Sequence, residues 1–106
     1  MSALNLNYRH LYYFWVVAKE GGVTRAAERL GVAVQTISMQ LSLLEKAVGK
    51  TLFAPQGRRL VLTEAGRLAL NYADQIFLLG EQLQEALAQQ HIRCFAVIIF
   101  STNIQA

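Results

Sequence analysis

The sequence predicts a mainly α fold, a winged helix-turn-helix followed by a long C-terminal linker helix. Three observations predict it. Two short helical patterns are separated by a glycine turn, a short basic hairpin pattern comes next, and an unbroken amphipathic stretch follows. The expected organisation is a winged helix-turn-helix over residues 1–63, a linker and dimerisation helix over 64–90, and a tail over 91–106 that reads as the truncated start of a further domain.

Tyr8 to Glu20 contains no Gly or Pro, and Leu11, Phe14, Trp15 and Ala18 fall on one side at helical spacing. Gly21-Gly22 stops this first helix. Its aromatics Tyr12, Tyr13, Phe14 and Trp15 are candidates for core packing or, alternatively, for a base-stacking platform, and core packing is the favoured reading. A short second helix runs from Thr24, an expected N-cap, to Leu30. Its small residues Ala26 and Ala27 admit a close neighbour, and Gly31 ends it. The third helix, Val34 to Val48, sets Ile37, Leu41, Leu44 and Val48 in one apolar stripe and ends at Gly49. Gln35, Thr36, Ser38, Met39, Gln40 and Ser42 are expected on its opposite face.

Two such helices around a Gly turn are the pattern in which the second helix enters the DNA major groove. Its exposed residue types suit base reading. Gln bonds adenine, Ser and Thr bond either base-edge partner, and Met or Thr methyls touch thymine's methyl. The alternative is a merely solvated helix face. Leu52-Phe53 and Leu60-Val61-Leu62 flank a Pro/Gly turn carrying Arg58 and Arg59, which reads as a β-hairpin wing reaching phosphates or the minor groove. Thr24, Arg25 and Lys50 complete the expected DNA contacts.

Thr63 is the expected cap of the last helix, with Glu64 placed for the positive end of its dipole. Ala65, Ala69, Tyr72, Ile76, Leu79, Leu83 and Ala86 repeat at spacings of four and three, a coiled-coil seam. A helix of roughly 25 residues spans roughly 40 Å, too long for so small a domain to cover, so a homodimer through this helix is expected. Cys94 to Phe100 is β-branched and aromatic and reads as a strand without a sheet.

Charge follows the same division. Residues 1–63 hold eight basic groups against three acidic ones, a net of +5, whereas residues 64–106 have a net of −2. A basic field of this kind attracts nucleic acid. With 106 residues, 54% of them apolar, the chain suits one folded domain. A single cysteine, Cys94, excludes an internal disulfide. The absence of a basic, then apolar N-terminal segment and of any apolar run near the about 20 residues a bilayer needs points to a cytoplasmic protein with no membrane partner.

Other chemistries find no support. Gly49-Lys50-Thr51 resembles the end of a phosphate-binding loop, but Leu44 stands where that loop needs its first Gly. His10, His91 and Cys94 do not amount to a metal site, which needs three or four ligands. No catalytic Ser/His/Asp set or paired carboxylates are present, so neither an enzyme nor a cofactor is expected.

Residues 8–90 resemble the N-terminal domain of LysR-type transcriptional regulators. The resemblance runs through Leu11, Phe14, Ala26-Ala27 with Leu30, Thr36 to Glu45, Leu52-Phe53, Arg58-Arg59 and Leu62-Thr63-Glu64-Ala65-Gly66. It implies sequence-specific binding to double-stranded DNA in bacterial transcription control, an antiparallel dimer through the linker helix, and a tetrameric full-length parent with an effector domain. Many members carry Ser-Gln-Pro where Ala33-Val34-Gln35 stands here, and Met39 and Ser42 replace frequent arginines. Base reading is therefore expected from Gln35, Thr36, Ser38 and Gln40, and affinity from Lys50, Arg58 and Arg59. Two other readings compete: a protein-interaction module working through the long helix, and a fragment of a longer protein without complete function.

Overall fold

The computed structural model describes residues 6–105, with side chains through residue 89. The order is α1 (Tyr8–Glu20), α2 (Val23–Leu30), α3 (Val34–Val48), β1 (Phe53–Gln56), β2 (Arg59–Leu62) and α4 (Glu64–Gln105). Asn7 caps α1, its Oδ1 accepting from the backbone N–H groups of Arg9 and His10 at 2.9 and 3.2 Å. Gly21, Gly31 and Gly49 close the first three helices in the left-handed conformation that favours glycine.

α1, α2 and α3 pack on one another around Leu11, Phe14, Val17, Ala26, Ala27, Ile37, Leu41 and Leu44, all buried. Ala26 and Ala27 let α2 approach its neighbours closely, as their size predicts. Of the α1 aromatics, Phe14 is fully buried in the core and its ring meets Phe53 at 5.4 Å, whereas Tyr12, Tyr13 and Trp15 are half-buried. Tyr12 and Trp15 pair with each other at 6.0 Å.

β1 and β2 form an antiparallel hairpin in the register Phe53↔Leu62 to Gln56↔Arg59. The two-residue tip is Gly57-Arg58, with a positive φ at Gly57 only. That is the pattern of a type II′ turn, whose twist matches the strands.

Two expectations are corrected here. α2 begins at Val23, capped by Gly22 without any side-chain bond, so Thr24 lies inside the first turn and does not cap. The extended backbone at Gly22 already presents its carbonyl to Ala26 N–H at 3.2 Å, which starts the helix one residue early. The strand expected at Cys94 to Phe100 is instead backbone of α4, which continues to Gln105. A lone strand leaves every N–H and C=O unpaired, whereas a helix satisfies them within itself. The side chains of this stretch lie outside the described residues.

The chain divides into two compact units, one ending at Asp74 and one beginning at Gln75. The first unit thus includes the opening turns of α4. Thr63 Oγ1 accepts from Gly66 N–H at 2.9 Å, the expected cap of α4. A Cβ on Gly66 would strike the Leu52 carbonyl oxygen, so only glycine lets the first turn of α4 sit this close. Further along, Trp15 Nε1 donates to Asp74 Oδ1 at 2.7 Å and Lys19 Nζ pairs with the same oxygen at 2.9 Å. In the second unit Leu79, Leu83 and Leu87 are exposed.

Candidate nucleic-acid interface

The outward face of α3 is set by its inward one. With Ile37, Leu41 and Leu44 buried, helical geometry turns Gln35, Ser38, Met39 and Ser42 to solvent, and all four are exposed. Thr36 and Gln40, grouped with these residues from sequence, are only half-exposed. Gln40 lies next to Leu41 and four residues before Leu44, so it flanks the apolar stripe. Its Oε1 is buried with no hydrogen-bond partner among the described residues. Gln40, an expected base reader, thus presents only part of its side chain to solvent.

Ala33 precedes α3 as its N-cap and makes no side-chain cap bond, as the missing hydroxyl predicts. Lys46 lies four residues beyond Ser42, on the same exposed face. Sequence reasoning passed over it, although the i, i+4 spacing from Ser42 was the available signal.

The wing and the start of α2 share a cleft. Gly22, Thr24 and Arg25 line it together with Arg58 and Arg59. Arg58 occupies the turn and Arg59 opens β2. Lys50 is exposed just before the wing.

The cations divide into two groups. Lys19 pairs with Asp74, and Arg29 pairs with Glu20 at 3.2 Å. Arg9, Arg25, Lys46, Lys50, Arg58, Arg59 and Arg67 form no ion pair among the described residues, Arg67 donating instead to the Leu62 carbonyl oxygen at 3.4 Å. The hydrogen bond from Trp15, then that from Lys19, holds the Asp74 carboxyl below its ordinary value against a small opposing effect of burial.

The seam residues of α4 separate as well. Tyr72, Leu79, Leu83 and Ala86 are exposed, and Ala65, Ala69 and Ile76 are half-buried. Leu68, outside the expected seam, is exposed beside Tyr72. No helix among the described residues is long and apolar enough to cross a membrane.

A three-helix core with a polar outer helix face and a basic hairpin defines a winged helix-turn-helix domain. Residues 8–67 match the family described as bacterial regulatory helix-turn-helix protein, lysR family, and the chain belongs to it. It is similar to the transcriptional activator protein NhaR of Escherichia coli (strain K12), with 46% identity over 83 residues, covering 78% of this chain and 28% of that protein. The chain thus spans little more than a quarter of that relative. Its fold is similar to the BenM DNA-binding domain in complex with catB site 1 DNA, with TM-score 0.76 at 28% identity over 79% of this chain and 94% of that one. It is likewise similar to the CbnR DNA-binding domain in its DNA complex, with TM-score 0.74 at 31% identity over 81% of this chain and 99% of that one.

Proposed function

We propose that this chain is the sequence-specific DNA-binding part of a transcriptional regulator, acting in the cytoplasm as a homodimer. The observation that carries the reading is the polar outer face of α3 flanked by cations that have no acidic partner among the described residues. α3 lies in the major groove, where Gln35, Ser38, Met39 and Ser42 meet base edges. Thr36 and Gln40 border that face and support it from the flank. The cleft of Thr24, Arg25, Arg58 and Arg59 takes backbone phosphate, with Arg58 at the wing tip within reach of the minor groove. Lys46 and Lys50 add phosphate contacts.

Tyr72, Leu79, Leu83 and Ala86 of α4 bind a second copy, with Ala65, Ala69 and Ile76 bordering that contact. Exposed leucines at this spacing favour a helix partner. Two heads then read a two-part, roughly palindromic site. Residues 91–106 lead toward a further domain, as the share of NhaR covered suggests. The reading includes no catalytic step, metal or cofactor.

The test is fluorescence anisotropy of a random-sequence duplex with protein at two salt concentrations. A logarithmic salt slope of about −0.9 per phosphate contact is expected. Binding that ignores salt, or none at low salt, overturns the reading.

A further inference from the structure

Between Glu28 and Glu64 the sequence contains a single acidic residue, Glu45. A carboxylate amid this basic segment works against binding a polyanion, yet Glu45 forms no ion pair among the described residues. Its Oε2 instead accepts from the backbone N–H groups of Leu52 at 2.7 Å and Phe53 at 3.3 Å. Ionised acceptors make the stronger kind of amide hydrogen bond.

The strip Thr51 to Phe53 is held from its other side as well. Thr63 donates its hydroxyl to the Thr51 carbonyl at 2.6 Å and its N–H to the Leu52 carbonyl at 3.0 Å. Leu52 is buried, and the Phe53 ring rests near Phe14. The Glu45 carbonyl also accepts from Gly49 and Lys50 at 2.8 and 3.2 Å. One residue therefore grips both ends of the passage from α3 to the wing. Its own backbone is fixed by the neighbouring Leu44, which is 1% exposed. A two-stranded hairpin alone is marginal in water, so its placement depends on anchors at its base.

We infer that Glu45 is a positioning residue that fixes Lys50 and the wing arginines Arg58 and Arg59 relative to the reading helix α3. The inference rests on the DNA-binding reading for its function, but its geometry is testable without DNA.

The experiment compares the full chain carrying Glu45→Ala, Glu45→Asp or Glu45→Gln with the wild type in two measurements. In free protein, amide hydrogen exchange at Leu52 and Phe53 and residual dipolar couplings of the wing report the joint. Glu45→Ala is expected to speed exchange at both amides by about tenfold or more and to alter the wing couplings. Glu45→Asp keeps the charge but is one methylene short and should lose part of the protection. Glu45→Gln keeps an acceptor oxygen of the same reach without the charge and should retain most of it.

With random-sequence duplex, Glu45→Ala should reduce the magnitude of the salt slope by about 2, the loss of two to three phosphate contacts, and Glu45→Gln should restore it. A role in stability alone would lower the melting temperature and leave the slope of folded protein unchanged. Wild-type exchange and couplings in both Glu45→Ala and Glu45→Asp overturn the inference, as does a wild-type slope in a variant whose amides have lost protection. If Glu45→Ala does not fold, Glu45→Asp decides by the same criteria. A wild type that binds no duplex sinks the DNA-binding reading, and the exchange and coupling measurements still decide whether Glu45 fixes the wing.

Discussion

α3 and α4 both space apolar residues three and four apart, yet they place their leucines oppositely. Leu41 and Leu44 of α3 are 8% and 1% exposed, and polar residues face outward. Leu79 and Leu83 of α4 are 63% and 59% exposed. The same periodicity therefore serves two ends. In α3 it completes a core and frees a polar face that a hydrated, charged partner can meet. In α4 beyond Asp74 it leaves apolar surface that the described residues of the chain do not cover, and this suits a protein partner.

Replacing one leucine on each helix is the sharpest test of that contrast. Leu44→Ala should cost about 2–5 kcal/mol of stability by cavity formation, read as a lower denaturant midpoint, and DNA binding should fall only as the folded fraction falls. Leu79→Asp should leave the melting of the first unit unchanged, halve the mass in sedimentation, and weaken binding to a two-part site by about 100-fold. Binding of Leu79→Asp to a single half-site should be unaltered. If Leu79→Asp melts like Leu44→Ala, or remains a dimer, the contrast fails.

Gln35→Ala probes the outer face of α3 and should reduce discrimination at one base pair by about 1–3 kcal/mol in competition against altered sites. The smallest effect is expected at Asp74. Its folded pKa lies below the unfolded value of 3.8, so its stabilisation is fully present above that value and is lost as pH falls through the lower folded one. Asp74→Asn should flatten the stability profile below about pH 4 while leaving the salt slope of DNA binding unchanged. A change in that slope would mean that the paired and unpaired cations are not separate groups.

Much of this arrangement is legible in the sequence because its determinants are local. Gly21, Gly31 and Gly49 end helices by backbone conformation alone, and Gly57 sets the wing turn. Thr63 caps α4 with the Gly three residues ahead. What escaped sequence reasoning depends on distant partners or on helical angle at the edge of a stripe. The Trp15–Asp74 bond joins residues 59 apart, so nothing near Thr63 announces that the first unit reaches Asp74. Gln40 has the chemistry of a base reader, but it flanks the stripe of Leu41 and Leu44 and is only half-exposed. Glu45 reads as one more surface charge until β1 begins beside it. The strand pattern at Cys94 to Phe100 misled because β-branched composition describes a preference for sheet neighbours and cannot supply them.

The outer face of α3 carries little information. Four exposed side chains, two of them serines, distinguish only a few base pairs, and a genome offers about 10⁶–10⁹ competing positions. On the proposed reading, a single head of this size would recognise a short word that recurs throughout a genome. An address would emerge if the word were read twice at a fixed separation, so the exposed leucines of α4 would then hold as much of the specificity as the helix proposed to meet the bases.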